Sequence, residues 1–327
     1  MHSDFNNYLL KVTQSSASEE IEIIQSLWSG YGKVSRYRLI DSPENTVVVK
    51  FIDLNPSGKH PKGWNTDTSH HRKVKSYDVE THWYKDWSHR CPAHCSIPKF
   101  MGSFSEGKYQ WIIMEDLKTH FPIVKDHVNL AEVKVCLRWL ANFHATFLNE
   151  QPKKLWEVGT YWHLDTRPDE FEKLEHQELK SKTHLIDEIL NQCKYQTIVH
   201  GDAKLANFCF SENGEHTAAV DFQYVGGGCG MKDVAYFLGS CLSSAECESY
   251  QNALLDFYFS ELKQDFDSRQ YSSALVKTDF NALEQEWRKL YPFAVTDFTR
   301  FLLGWMPDHQ KVNKYHLNLM QSVLSSL

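Results

Sequence analysis

The chain has 327 residues, of which 42% are hydrophobic and 24% charged, so it is long enough for one large domain or for two lobes that each bury a core. The net charge of −7 disfavours a nucleic-acid partner, and no apolar run approaches the roughly 20 residues that span a bilayer, so no membrane insertion is expected. The N-terminus lacks the features of a signal peptide, and the eight scattered cysteines without a C-x-x-C pair predict free thiols in a reducing, cytoplasmic setting.

The first part of the chain alternates β-rich runs with turn residues. Helical patterns cover 4–13 and 76–90, and the polar, Pro- and Gly-rich residues 53–75 predict an exposed loop. The runs that favour strands are 21–28, Val34–Ile40, Thr46–Ile52 and the two arms of a hairpin, 97–104 and 108–115. This pattern predicts a β-rich N-terminal lobe over residues 1–116, to which the kinase-like motifs described below assign nucleotide binding.

A glycine pattern in this lobe is a candidate phosphate loop. Gly30 and Gly32 lie between two predicted strands, in a G-x-G-x-x-S pattern that ends at Ser35. Glycines let backbone N–H groups approach phosphates closely. A plain hairpin turn is the alternative.

A lysine in an apolar run is the second candidate in this lobe. Lys50 follows three valines, where its charge is costly to bury without a partner. Glu80, in the next predicted helix, is the candidate partner. The alternative is a lysine that extends to solvent at a strand edge and an exposed glutamate.

The run from Trp111 ends in Met114, Glu115, Asp116 and Leu117, and we interpret it as the connection between two lobes. Adenine would pair there with backbone groups near Met114, Glu115 and Leu117. The side chains of Glu115 and Asp116 need have no role other than to cap a turn or to face water.

Residues 117–327 are mostly helical by pattern and form the predicted catalytic and acceptor-binding lobe. The predicted helices are 130–147, 169–194, 231–243, 246–264, 279–290, 296–305 and 311–326. Short β-like runs at 197–199, 208–210 and 217–220 surround a polar segment. The whole predicts an α+β fold of two lobes, β-rich and then helical, with a nucleotide cleft between them.

That polar segment has the strongest functional signal. Residues 200–207 read HGDAKLAN, and Asp221 follows the next β-like run. Kinases use this order for phosphoryl transfer: Asp202 would accept the proton of a substrate hydroxyl, and Asn207 and Asp221 would hold Mg²⁺. Turn residues after buried strands are the alternative. That alternative explains single residues but not the order of all of them.

The chain resembles the aminoglycoside phosphotransferase/choline kinase-like group of small-molecule kinases, and most closely its ecdysteroid-kinase-like branch. The resemblance extends from Gly30 to about Trp305, and it rests on Val49-Lys50, Glu80, 114–117, 140–145, 200–207 and 221–223. It implies a protein-kinase-like fold with ATP and Mg²⁺ as cofactors. It also implies transfer of the γ-phosphate to a hydroxyl of an aminoglycoside-, choline- or sterol-like small molecule. In this reading Lys50, oriented by Glu80, contacts the α- and β-phosphates.

Two departures from protein kinases support a small-molecule kinase. H-G-D replaces H-R-D, and only eight residues, 224–231, separate D-F-Q from the next predicted helix. That stretch is too short for a long regulated activation loop, so constitutive activity is expected.

Several neighbours of the motif have two interpretations. Lys204, two residues after Asp202, would offset charge on the moving phosphoryl group, or it is an exposed loop lysine. We expect His200 and His144 to be packed, structural histidines. The glycine-rich run 226–230 is interpreted as a flexible connection, and Asp233 as a structural anchor.

The aromatic segment 287–305 would help to wall the acceptor site, according to the resemblance. A carboxylate with aromatic neighbours can hold a cation, which makes Asp297 with Tyr291 or Trp305 a candidate group. A helix-packing surface is the alternative for most of these residues.

Two other classes of function stay open. One is a pseudokinase that binds ATP or acts as a scaffold without chemistry, although the intact set of five motif residues argues against it. The other is a zinc protein built on His89, Cys91, His94 and Cys95, whose spacing is not a standard finger pattern. The sequence names neither the acceptor nor the oligomeric state.

Overall fold

The computed structural model describes residues 3–55, 67–269 and 278–327. The chain divides into two compact units, one formed by residues 1–90 and 97–122 and the other by 91–96 and 123–327. The predicted boundary at residue 116, and the roles given to the two lobes, stay predictions. Among the helices of the described ranges, none is both long enough and apolar enough to cross a bilayer.

The first unit is an antiparallel sheet with two helices. The sheet has the strand order β1-β2-β3-β5-β4, so β3 is central. The elements are α1 (Ser3–Thr13), β1 (Ala17–Ser26), β2 (Gly32–Ile40), β3 (Thr46–Asp53), α2 (Asp67–His82), β4 (Phe100–Glu106) and β5 (Tyr109–Glu115).

The predicted hairpin between β4 and β5 is confirmed, with Gly107 at φ +59 in its turn. Helix α2 begins at Asp67, so the end of the loop predicted over 53–75 is helical instead. The middle of that loop, 56–66, lies outside the described residues. After α2 the chain continues through a π-helical turn and a 3-10 turn to Arg90.

The core of the first unit lies between α1 and one face of the sheet. Strand side chains alternate between faces, so every second residue of the central strands points to α1. The Phe5 ring stacks on Trp111 with centroids 4.8 Å apart. The members of this core are Phe5, Leu9, Tyr37, Leu39, Val47, Val49, Trp111 and Ile113. The opposite face of β3 therefore presents Lys50.

The second unit is mainly helical and contains two small sheets. Strands β6, β8 and β9 form one sheet, and β7 pairs with β10. The elements are β6 (Ile123–Val124), α3 (Leu130–Thr146), α4 (Pro168–Glu172), α5 (Gln177–Asn191), β7 (Thr197–Val199), β8 (Phe208–Phe210), β9 (Thr217–Ala219), β10 (Gly226–Gly228), α6 (Met231–Cys241), α7 (Ser244–Ser268), α8 (Phe280–Trp305) and α9 (Lys314–Ser326). The predicted α+β class, with a β-rich first part and a helical second part, is confirmed.

Three predictions for this unit were wrong. The helix expected over 169–194 is two helices, because the side chain of His176 accepts the N–H of Leu179 and starts α5 anew. The helices expected over 279–290 and 296–305 are one, since α8 tolerates Pro292 in its interior.

The third error concerns the glycine-rich run, which is a buried strand and not a flexible connection. Gly226 pairs with Val199 of β7. A Cβ on Gly226 would come within 2.3 Å of the Trp156 carbonyl oxygen. Only glycine allows the backbone to approach so closely here.

Candidate active site

The loop after β7 is held in place by one buried carboxylate. Asp233, in α6, accepts the backbone N–H of His200 at 2.6 Å and that of Gly201 at 2.9 Å. Gly201 has φ +79, and a Cβ there would come within 2.0 Å of the Tyr224 carbonyl oxygen. The predicted role of Asp233 as a structural anchor is confirmed.

The two buried histidines near this loop are structural, as predicted. His200 Nε2 donates to the Val220 carbonyl at 3.0 Å, and its Nδ1 accepts the Asp202 N–H at 3.2 Å. Burial lowers the pKa of His200, so the ring is neutral and joins the two segments that bear Asp202 and Asp221. His144 lies between the Tyr258 hydroxyl at 2.8 Å and Asp233 at 3.1 Å.

Two neighbouring side chains bind one oxygen of the Asp202 carboxylate, while the other oxygen has no partner among the described residues. Its Oδ2 accepts the Lys204 ammonium at 2.9 Å and the Asn207 amide at 3.1 Å. Its Oδ1 is buried and has no hydrogen-bond partner within the described residues. A buried acceptor atom without a partner is costly, so this atom can accept a hydrogen bond from a bound hydroxyl or from the nearby Tyr236 phenol.

The charges in this group shift each other's pKa values. Burial raises the pKa of Asp202, and the nearby Asp221 carboxylate raises it further, while Lys204 opposes both. For Lys204, burial alone would lower the pKa, but the carboxylates of Asp202 and Asp221 raise it overall. The lysine is therefore charged at neutral pH, and its charge favours the ionised form of the base.

Asp221 follows β9 in a left-handed backbone conformation, with φ 68. Such a conformation costs most non-glycine residues about 1–2 kcal/mol, although aspartate adopts it more readily than larger side chains. Its Oδ1 accepts the Gln223 amide at 2.5 Å. Asp221 belongs to the same group as Asp202, since its charge acts on the pKa of Asp202, Lys204 and His200.

Asn207 and Asp221 fit a magnesium ion by their donor atoms. The Asn207 amide nitrogen is bound to the Asp202 carbonyl at 2.7 Å, which leaves the amide oxygen available. Mg²⁺ prefers carboxylate and amide oxygens, and it usually keeps waters and substrate phosphates as its other ligands. A site with two protein ligands is therefore adequate for magnesium bound with a nucleotide.

In the first unit, the predicted ion pair forms. The Lys50 ammonium donates to Glu80 Oε2 at 2.6 Å, and the two residues are 4% and 1% exposed. That burial contradicts the alternative of a lysine extended to solvent. The pair lies on the sheet face that does not pack against α1.

Gly30 and Gly32 lie between β1 and β2, as predicted, and both have positive φ. Ser35 does not lie with them on the face of Lys50. It pairs with Val49, whereas Val34 pairs with Lys50. Paired residues share a face, so the Ser35 hydroxyl points to the opposite side of the sheet. The prediction that Ser35 takes part in phosphate binding was wrong.

The two carboxylates at the end of β5 are structural. The Glu115 side chain accepts the Lys99 N–H at 3.1 Å. Asp116 accepts the Arg36 guanidinium at 2.6 Å and the Thr46 hydroxyl at 2.8 Å. Burial opposes ionisation of Asp116, but these bonds lower its pKa overall.

Residues around these carboxylates were predicted to bind adenine. Met114 is two residues from Ile112, the partner of Lys50, so it shares the sheet face of Lys50. Leu117 is buried and begins a 3-10 turn. Its role and that of the backbone at Met114 and Glu115 stay predictions.

Asp297 is not available to hold a cation. It is 3% exposed and accepts the Arg300 guanidinium at 2.7 Å and the Trp162 indole N–H at 3.0 Å. Tyr291 is buried and its hydroxyl is bonded to that of Tyr315 at 2.9 Å. Trp305 stacks on an aromatic neighbour in α8, 5.7 Å away. The predicted cation site at Asp297 was wrong, because its charge is already paired.

Three residues beside Asp202 were missed by sequence reasoning. The Tyr161 N–H donates to the Gly201 carbonyl at 3.1 Å, and its ring lies 5.5 Å from that of Tyr236. The Lys311 ammonium lies 4.9 Å from the Tyr236 ring centroid. Burial raises the pKa of Tyr236, and the charge of Asp202 raises it further, which places Tyr236 next to the candidate base. No local pattern could have found them, since they come from three distant segments.

The cysteine and histidine cluster around residue 91 does not form a metal site. Within the described residues, no three or more metal-ligating side chains lie together in a suitable group. His94 contacts Asp265 at 3.1 Å instead, and all eight cysteines are free thiols. The zinc alternative has no support.

Gly201→Ala is expected to destabilise the second unit far more than Gly214→Ala. Both glycines have similar positive φ, +79 and +70, but a Cβ at Gly214 meets only a side-chain oxygen at 3.5 Å. We expect about 1 kcal/mol from the shared backbone strain and at least about 2 kcal/mol more at Gly201 from the clash with backbone. Urea unfolding of both variants measures the difference. Equal losses would contradict the tight packing of the loop against Tyr224.

Comparison with known protein families gave a match that covers part of the candidate site. The model of the "Ecdysteroid kinase-like family" matches residues 158–271. No match was found among curated protein sequences.

Solved structures whose backbone resembles that of this chain include three aminoglycoside phosphotransferases. One, an aminoglycoside-3'-phosphotransferase of type VIII, is 15% identical with a TM-score of 0.45, over 88% of this chain and 99% of that chain. A thermostable mutant of APH(4)-Ia in apo form is 11% identical with a TM-score of 0.47, over 98% of each chain. APH(3'')-Id from Streptomyces rimosus, in complex with ADP and streptomycin, is 12% identical with a TM-score of 0.46, over 89% of this chain and 98% of that chain.

TM-scores below 0.5 are too low to support a functional assignment, which therefore depends on the family match and on the residues of this chain. The matched segment contains Asp202, Asn207 and Asp221, and it supports a small-molecule phosphotransferase. The resemblance to the ecdysteroid kinase-like family that the motifs indicated is thus confirmed over residues 158–271.

Proposed function

We propose that this protein is an ATP- and Mg²⁺-dependent phosphotransferase that transfers the γ-phosphate to a hydroxyl of a small molecule. The observation that carries the proposal is the state of the Asp202 carboxylate. One oxygen is bound by Lys204 and Asn207, and the other is buried without a partner among the described residues. A hydroxyl donating to that second oxygen would be held at the base.

In this proposal Asp202 positions the acceptor hydroxyl and takes its proton. The bonds from Lys204 and Asn207 fix the carboxylate, so little reorganisation is needed at the moment of reaction. Burial raises the pKa of Asp202, which brings the carboxylate closer to the basicity that suits a general base near neutral pH.

The other site residues bind the phosphates and the metal. Asn207 and Asp221 would hold magnesium, which, with ATP, supplies the phosphoryl group and neutralises its charge when bound. Lys50, oriented by Glu80, would contact the α- and β-phosphates, with backbone groups of Gly30 and Gly32 near them. Adenine would pair with backbone groups of the segment from Met114 to Leu117.

The test is ADP release against a broad panel of hydroxylated small molecules, with and without Mg²⁺. Magnesium-dependent turnover that requires one acceptor class supports the proposal. ATP binding without ADP formation on any acceptor would favour the pseudokinase alternative, which shares the binding residues but does no chemistry.

Lys204→Ala is expected to lower kcat by about 10²-fold with little change in ATP affinity. The ammonium is bonded to the base, and in this proposal it would offset the charge that develops on the transferred group. Kinetics with the best acceptor of the panel measure the effect, and Lys204→Arg, which keeps the charge, should recover part of the rate. Unchanged turnover in the alanine variant would show that Lys204 is only a loop lysine.

A further inference from the structure

Lys311 presents a positive charge beside the candidate base from a different part of the chain. It lies in the segment between α8 and α9, and its ammonium is 4.9 Å from the Tyr236 ring centroid and 5.8 Å from that of Phe298. It forms no ion pair with a carboxylate in the part of the chain that the structure describes. Its pKa responds to the charges of Asp202 and Lys204, so it belongs to the same electrostatic group.

Lys311 lies against a cluster of aromatic rings. The cluster combines residues of α6 and α8 with Trp162, and more accessible side chains pack on its outside. Tyr161, on that outer side, is joined through its backbone to the loop of Asp202. The members are Trp162, Tyr236, Phe298, Phe301 and Leu302, with Tyr161, Trp305 and Val312 packed against them.

The buried carboxylates next to this cluster are neutralised by arginines. Asp297 is paired with Arg300 at 2.7 Å, and Glu170 with Arg167 at 3.1 Å. The Arg167 guanidinium also lies 5.2 Å from the Phe301 ring centroid. A cationic ligand beside the partly buried outer rings of this cluster, Tyr161 and Trp305, would thus meet paired carboxylates and the positive charge of Lys311.

We propose that Lys311 is a specificity-determining residue that makes the acceptor site select uncharged hydroxyl compounds over cationic ones. The inference rests on the proposed function and narrows the class of acceptor. Amine-rich and quaternary-ammonium compounds would be disfavoured. Aromatic rings alone would attract a cation. An ammonium held over one of those rings reverses that preference by repulsion at short range.

The selection is expected to depend on pH. The pKa of Lys311 is lowered to about 8, chiefly by burial and also by the charge of Lys204, while Asp202 opposes the shift. The charge is thus present below about pH 8 and is lost above it. Of the other groups that face Lys311, His316 has a pKa of about 4 and the pKa of His309 is lowered. Burial raises the pKa of the Cys241 thiol, so Lys311 dominates the change between pH 7 and about 9.5.

The experiment compares two matched alcohols that differ in charge alone: 4-tert-butylbenzyl alcohol and 4-(hydroxymethyl)phenyltrimethylammonium. Their dissociation constants are measured without turnover, by tryptophan fluorescence and saturation-transfer NMR on the full chain. The proteins are the wild type, Lys311→Met, Lys311→Glu and, as control, Lys314→Glu, which changes an exposed lysine three residues away.

In the wild type at pH 7 we expect the uncharged compound to bind more tightly. Lys311→Met should shift the ratio of the two dissociation constants by about tenfold in favour of the cationic compound. Lys311→Glu should shift it further in the same direction. Lys314→Glu should leave the ratio unchanged, and raising the pH of the wild type to about 9.5 should reproduce Lys311→Met.

The proposal would be overturned if Lys311→Glu left the ratio of the two dissociation constants unchanged. It would also be overturned if neither compound bound to any of the proteins. Failure of the proposed function looks different. In that case the ratio still shifts with Lys311, but no acceptor is phosphorylated.

Discussion

Replacing Asp202 with asparagine is expected to lower kcat by about 10²- to 10⁴-fold while ATP binding changes by no more than a few-fold. Asparagine keeps the size and the hydrogen bonds to the loop but cannot take a proton. The unpartnered Oδ1 of Asp202 is the only oxygen of that carboxylate not held by Lys204 or Asn207 within the described residues. Losing the base should therefore affect the chemical step and not the binding of nucleotide.

The measurement is acceptor-dependent ADP release, with ATP affinity determined separately by binding. Asp126→Asn is the control, since Asp126 is an exposed aspartate of the same unit. It should retain wild-type kcat. Acceptor-dependent turnover that persists in Asp202→Asn would remove Asp202 from its assigned role.

Breaking the buried ion pair of the first unit is expected to have the largest effect on stability. Glu80→Leu removes the carboxylate 2.6 Å from a lysine that is 4% exposed. Removing one partner of such a pair costs about 3–5 kcal/mol, because the remaining charge stays in a medium of low polarity. The double variant Lys50→Met, Glu80→Leu removes both charges, so it should be more stable than Glu80→Leu alone.

Urea unfolding of Lys50→Met, Glu80→Leu and the double variant, compared with the wild type, completes a double-mutant cycle. Glu19→Ala is a matched control, since the pair of Glu19 with Arg38 lies in the same sheet at 3.2 Å but is exposed. Exposed pairs contribute about 0–1 kcal/mol, so this variant should be nearly neutral. Additive losses in the cycle would contradict a coupled, buried pair. The double variant should also lose ATP binding if Lys50 contacts the phosphates.

The features that sequence reasoning found are those encoded in short stretches. Alternation of apolar residues predicted β2, β3 and the hairpin of β4 and β5, because strand period is a local property. The order of Asp202, Asn207 and Asp221 was readable for the same reason. The Lys50 and Glu80 pair could be inferred because a lysine among valines demands a partner.

The errors came from properties that depend on contacts. Ser35 fits the phosphate-loop pattern, but the pairing of β2 with β3 turns its side chain to the face opposite Lys50. Asp297 looked available for a cation until Arg300, one helical turn later, proved to hold it. Gly226 looked flexible because sequence does not show that Trp156 lies against its backbone.

By itself, the sequence determined the class of fold, the base and metal-ligand candidates and the resemblance to small-molecule kinases, because each is a pattern of neighbouring residues. The tertiary structure alone decided which oxygen of Asp202 is left for a reactant, which carboxylates are already paired, and that Tyr161, Tyr236 and Lys311 lie beside the base. Those residues are far apart in the chain, and burial and charge pairing depend on distances in space that sequence spacing does not encode.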